Sequence, residues 1–169
     1  HGGTVFVLFH EGKDEGFGTP GEYVAAWRRV VEVARAEGAD NAVFVWAMTS
    51  AMYPTEADDW YPGDEWVDWL GVTGFNWYTG EPSSSWRTFP SIFAPFMEWS
   101  AGRGKPLMIV STSSAENLYE EPDAPRSKAT WIREALASLE DWPEIQALVW
   151  LNTPGEDEFR VWRVDSSQP

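Results

Sequence analysis

Apolar runs of strand length alternate along this chain with stripes of helical period. Thr4 to Phe9 (Thr-Val-Phe-Val-Leu-Phe) is rich in β-branched and aromatic residues, the pattern of a strand buried on both faces. Thr19-Pro20-Gly21-Glu22 predicts a helix start, with Thr19 as N-cap, Pro20 in the first turn and Glu22 closing a capping box. Tyr23, Ala26, Trp27, Val30, Val31 and Ala34 form the inward stripe expected of that helix, and Gly38 its stop. A second strand is predicted over Ala42 to Trp46, followed by a long loop, Ala47 to Gly63, of a kind that caps sites. Asp64 to Leu70 reads as a short helix and Gly71 to Phe75 as a third strand, ending in Asn76-Trp77-Tyr78. Ser83-Ser84-Ser85 reads as a flexible turn. Phe89 to Ser100 is helical by its stripe of Phe89, Ile92, Phe93, Phe96 and Met97, despite Pro90 and Pro95. Pro106 to Val110 is a fourth strand, Ser111 to Pro125 a polar loop, and Ser127 to Leu139 a helix with Ala129, Ile132, Ala135, Leu136 and Leu139 inward. Ala147 to Leu151 is a fifth strand, and Phe159 to Val164 a last extended segment.

Strands and helices that alternate in this way require parallel strands joined by crossovers. The expected class is α/β, in one domain over residues 1–169 with no internal repeat and no linker. Five strands fit an open doubly wound sheet, and they fit equally the second half of an eight-stranded barrel. No Gly-x-Gly-x-x-Gly follows any strand and no phosphate loop occurs, which argues against dinucleotide or nucleotide binding. The long polar and aromatic loops all follow strand C-termini, and that favours the barrel.

Composition sharpens this picture. Among 169 residues there are 12 Trp, 9 Phe and 5 Tyr, more than a core of this size is expected to absorb. Such an excess points to exposed stacking surfaces, for which the flat faces of sugars are natural partners. A net charge of −15 and an isoelectric point near 4.3 argue against nucleic acid and against anionic membranes. Cysteine is absent, so neither disulfides nor a thiolate metal site is expected. The spacing of the two His residues and the carboxylates suggests no metal site, and no cofactor is expected. No apolar run reaches the length of a membrane span, and no signal peptide is read. A start at His1 instead of Met is expected of a chain that was processed, cut or cloned as a piece.

Candidate chemistry sits where strands end. His10 and Glu11 follow the first strand, on the rim where parallel α/β folds build their sites. A carboxyl flanked there by apolar walls can act as a general acid. The same pair could equally cap the backbone at the strand end. Trp77, Trp86 and Trp150 stand near strand ends or in loops, where sugar stacking and plain packing are both open. Trp27 belongs to a helix stripe and reads as core.

Several segments carry a family resemblance. Phe9-His10-Glu11, Gly74-Phe75-Asn76-Trp77 and Trp150-Leu151-Asn152 each follow or end a strand. With Tyr23-Val24-Ala25-Ala26-Trp27-Arg28, Tyr61-Pro62-Gly63-Asp64, Val67-Asp68-Trp69-Leu70-Gly71 and Arg163-Val164-Asp165-Ser166-Ser167, they form an ordered set that resembles glycoside hydrolase family 26. That family of retaining β-mannanases has the (β/α)8 TIM-barrel fold, and the resemblance covers strands four to eight of it. It implies a glycosidase of mannan-like polysaccharide, secreted, in which Glu11 is the acid/base and His10 its neighbour. By the same resemblance, Phe75, Asn76, Trp77 and Trp150 line the substrate site.

The departure from the family pattern is at Ser111. The family's nucleophile Glu directly follows the strand matched by Pro106 to Val110, and here the chain reads Ser111-Thr112-Ser113-Ser114. Phe75 likewise stands where the family usually has Tyr. Retaining hydrolysis needs two carboxyls about 5–5.5 Å apart, one as acid and one as nucleophile. A neutral serine cannot attack without a base, and no Ser-His-Asp spacing accompanies it. Glu116, Asp14 and Glu15 read as loop carboxylates. Three readings follow: a β-mannanase-like hydrolase with an unidentified second carboxylate, a carbohydrate-binding pseudoenzyme, or half a barrel that self-associates or lacks an N-terminal segment.

Overall fold

The computed structural model describes residues 4–8, 18–80, 82–117, 119, 121, 124–154 and 161–165. His10 and Glu11, with Asp14, Glu15 and Phe159, lie outside these residues. Five strands form one sheet in the order β1-β2-β3-β4-β5, and every neighbouring pair is parallel. They are β1 (Val5–Leu8), β2 (Ala42–Thr49), β3 (Trp69–Asn76), β4 (Leu107–Ser114) and β5 (Ile145–Trp150). Between them run α1 (Pro20–Ala36), a short α2 (Ala57–Trp60), α3 (Phe89–Ser100) and α4 (Lys128–Glu140). Parallel strands in sequence order with helices between them make this five strands of a (β/α)8-type barrel. No helix among the described residues is long and apolar enough to cross a membrane.

Local chemistry sets the helix limits. The Thr19 hydroxyl accepts from the Glu22 N–H at 3.3 Å, and the Glu22 carboxylate accepts from the Thr19 N–H at 2.7 Å, so the capping box is complete. Gly38, at φ 74°, ends the turn in the left-handed region. The Thr88 and Ser127 hydroxyls cap α3 and α4 by accepting from the N–H groups of Ser91 and Thr130, and α3 keeps its helix through Pro95.

The buried stripes differ in detail from the expected ones. On α1 the inward residues are Tyr23, Trp27 and Val31, whereas Ala26 and Val30 face solvent. The helix is rolled toward the segment after α2: the Trp27 indole donates to the Trp66 carbonyl, and Arg28 and Arg35 donate to the carbonyls of Pro62 and Glu65. On α4, Lys128, Trp131 and Ala135 are inward and Leu136 is 62% exposed, because Trp131 rolls the helix toward Phe89 of α3.

Three further expectations are corrected. Asp64 to Leu70 is not a helix: a single 3₁₀ turn, Asp64–Trp66, precedes β3. The stretch 47–63 is not one long loop: it holds the end of β2, a 3₁₀ turn at Ser50–Met52 and α2, and its Met52, Tyr53, Ala57 and Trp60 are buried in the core. The described part of the last segment, 161–165, carries no strand. Most aromatic rings are likewise internal. Trp27, Trp46 and Trp131 are wholly buried, and Trp46, Tyr53, Tyr61 and Trp99 interlock with ring centroids 5.0–6.1 Å apart. Among the described residues the core therefore accounts for most of the aromatic excess, with Phe6, Trp77 and Tyr119 as the exposed rings.

Candidate functional site

Two glycines on β3 tell the faces of the sheet apart. A Cβ on Gly74 would lie 2.5 Å from Ile92 and 2.9 Å from Phe93, so Gly74 faces the α3 side. A Cβ on Gly71 would meet Val110, Ala47 and Val45 at 2.7–3.0 Å, on the opposite face. Strand alternation then places Thr73 and Phe75 on the face of Gly71, away from the helices. The register pairs Thr73 with Ser111 and Phe75 with Ser113, so both serines share that face.

β4 reaches this arrangement through a bulge. Val72 pairs with Ile109 and Thr73 with Ser111, which leaves Val110 as the extra residue. The strand then continues to Ser114. Ser111 is thus inside the strand, half-buried, and does not begin a polar loop as the sequence suggested. The hydroxyls after it are buried and satisfied. Thr112 donates to the Gly74 carbonyl at 2.7 Å, and Ser113 to the Trp162 carbonyl at 3.2 Å. Ser114 accepts from the Asn76 amide at 3.0 Å. Asn76, fully buried, also accepts from the Arg87 N–H at 3.2 Å, which ties the ends of β3 and β4 to the approach to α3.

An aromatic cluster stands on the rim beyond these strand ends. Trp77 is 51% exposed, the only tryptophan in the exposed class among the described residues. Its ring meets Trp162 edge-on at 4.8 Å and lies 5.5 Å from Phe75, and Phe75 lies 5.5 Å from Trp162. Trp162 was not singled out in the sequence, because nothing in the pattern around it marks a strand end. Trp150 stands elsewhere. It pairs with Thr112 on the helix side, packs 6.1 Å from Trp131, and donates its indole N–H to the Trp162 carbonyl at 2.8 Å. Trp86 packs edge-on against Tyr78.

Two pairs of charged groups among the described residues are engaged with each other near the rim. Glu116, 14% exposed, lies 3.5 Å from the Lys128 ammonium, and Lys128 also donates to the carbonyls of Val161 and Arg163. Burial holds the Lys128 pKa below the ordinary lysine value, and the Glu116 charge works against that shift. Arg163 and Asp165 form a bidentate pair, with N···O distances of 3.0 and 2.9 Å. Among the described residues no group of three His, Cys, Asp or Glu side chains converges on a point.

These features meet their counterparts in known proteins. Residues 5–104 match the family model of glycosyl hydrolase family 26. Over 149 residues the chain is 32% identical to endoglucanase H of Acetivibrio thermocellus, covering 86% of this chain and 15% of that protein. A modular endo-β-1,4-mannanase from Cellulomonas fimi superposes with a TM-score of 0.63 at 20% identity, over 86% of this chain and 34% of its own. A family 26 β-mannanase from Bacteroides ovatus superposes with a TM-score of 0.64 at 18% identity, over 98% of this chain and 45% of its own. The chain thus spans less than half the length of each of these relatives. It belongs to glycosyl hydrolase family 26.

Proposed function

We propose that this chain is the polysaccharide-gripping part of a family 26 glycoside hydrolase directed at a β-linked mannan or related glucan, and that Ser111 leaves it with little or no hydrolytic turnover. The observation that carries the reading is that Thr73, Ser111 and Ser113, all uncharged, share one face with Phe75, whose ring lies 5.5 Å from the exposed ring of Trp77. By family resemblance Glu11 supplies the acid/base. Ser111 stands where the attacking carboxylate belongs, and a hydroxyl without a general base does not attack an anomeric carbon. Glu116 is five residues further along and is held against Lys128, so it is a poor substitute. A flat ring open to solvent remains useful, because sugar faces stack on it whether or not the bond is cut. A polymeric substrate is met outside the cell, so an extracellular location goes with this reading.

Calorimetric titration with manno-oligosaccharide and cello-oligosaccharide, beside a reducing-sugar assay, tests it. Binding with turnover near background is expected. Trp77→Ala should cost on the order of 1–3 kcal/mol of binding, by analogy with bases stacked on aromatic platforms. Ser111→Glu should raise hydrolysis in a preparation whose barrel is complete. Strong wild-type turnover that survives Ser111→Ala would overturn the proposal, and its loss in Glu116→Ala would identify the acting carboxylate.

A further inference from the structure

Lys128 is the first residue of α4 and is fully buried, an expensive place for an ammonium. Its surroundings match what an ammonium offers. Three N–H donors face three acceptors: the Val161 carbonyl at 2.5 Å, the Arg163 carbonyl at 3.0 Å and the Glu116 carboxylate at 3.5 Å. Two of these are backbone carbonyls of a segment that has no strand ladder to hold it. The carbonyl between them, of Trp162, accepts from Ser113 and from the Trp150 indole. The Trp162 N–H donates to the Thr153 carbonyl at 3.1 Å, and the Val164 N–H to Asn152 at 3.0 Å. Side chains from β4, β5 and α4 thus do for residues 161–163 what a neighbouring strand would do, and the residue so fixed is the ring against which Trp77 stands.

We propose that Lys128 is a positioning residue of the carbohydrate rim: its ammonium, set between Glu116 and the carbonyls of Val161 and Arg163, fixes the segment that braces Trp77 through the Trp162 ring. Trp77 alone is an exposed side chain free to change rotamer, and an edge contact at 4.8 Å removes much of that freedom. A pre-ordered ring binds more tightly than one that must be ordered by its ligand. The inference rests on the carbohydrate reading of the rim. Within it, Lys128 is assigned a role in affinity although it lies beneath the rim and touches no sugar.

The experiment uses the 169-residue chain. Lys128→Met keeps most of the apolar stem and removes the donors. Acrylamide quenching reports how well Trp162 is shielded, with its signal assigned by difference from Trp162→Phe. Calorimetry with manno-oligosaccharide reports affinity, and the thermal melt reports folding. The expected result is a cooperative melt, a more accessible Trp162 and at least a tenfold loss of affinity that does not add to the loss in Trp77→Ala. Unchanged shielding and unchanged affinity would overturn the inference. If Lys128→Met does not fold, Trp162→Ala decides: a tenfold loss supports the brace, and unchanged affinity overturns it. Failure of the carbohydrate reading shows differently, as no binding by the wild-type chain, and it removes this inference too.

Discussion

At the scale of single residues, the rim shows what a pattern can reveal. Phe75-Asn76-Trp77 was legible as the end of a strand, because a polar residue and a ring directly follow an apolar run. Which of the three faces solvent was not legible. Asn76 turns inward to Ser114, a partner 38 residues away, and strand pattern carries no information about such a pairing. The strand character of Ser111 to Ser114 is hidden for the same reason, since hydroxyls look like loop until partners such as the Gly74 and Trp162 carbonyls are in place. Asn76→Ala strips Ser114 and the Arg87 N–H of a buried partner at once. It is expected to cost about 1–3 kcal/mol in denaturant melts, the range for orphaned buried polar groups. A loss within error would mean that neither bond is maintained in solution. Trp150 illustrates the converse: the sequence placed it at a strand end, and only the fold shows that its indole is spent on the Trp162 carbonyl.

At the scale of elements, existence was more legible than orientation. All five strands and the three long helices follow from apolar period and capping residues, because those signals are local. The roll of a helix is set by its neighbours, which is why Leu136, at a plausible inward position, points to solvent while Trp131 is buried. Leu136→Gln is therefore expected to change stability by no more than about 0.5 kcal/mol, whereas Trp131→Ala should cost about 3–5 kcal/mol. Equal effects in thermal melts would show that the stripe read from sequence was the better one. The caps give two further tests. Ser127 accepts from the Thr130 N–H at 3.1 Å, and Ser127→Ala should cost about 1 kcal/mol. On α1, the hydrogen bonds from Thr19 hold the Glu22 carboxyl below its ordinary value of 4.5. A carboxyl with a lowered folded pKa stabilises fully above the unfolded value and loses that contribution as pH falls through the folded one. The stability difference between wild type and Glu22→Gln should accordingly shrink as pH drops from 7 to below 4.5. A difference that grows toward acid would contradict the capping box.

At the scale of the whole molecule, most of the exposed apolar side chains among the described residues belong to the first and last strand–helix units. Val5, Phe6 and Leu8 of β1 lie at one end of the sheet, and Val30 and Val33 are exposed on α1, which follows it. Leu148 and Val149 of β5 lie at the other end, with Leu136 on α4. A (β/α)8 barrel closes on itself and leaves no edge, and the described residues supply five of its strands. Among the described residues neither terminal strand has a partner on its outer side, and both carry apolar side chains with no Lys or Pro to discourage edge pairing. Against this stands a net charge of −15, which repels any second copy. Salt decides between the two, because it screens repulsion to about 3 Å at 1 M and leaves apolar burial in force. The chain is expected to sediment faster as protein concentration rises, more steeply in high salt than in low. Placing one charge at each end, Phe6→Glu with Val149→Glu, should return it to a single slow species. A wild-type monomer at every concentration and salt, with a cooperative melt, would show that the two ends are stable uncovered and that the five-stranded sheet stands on its own.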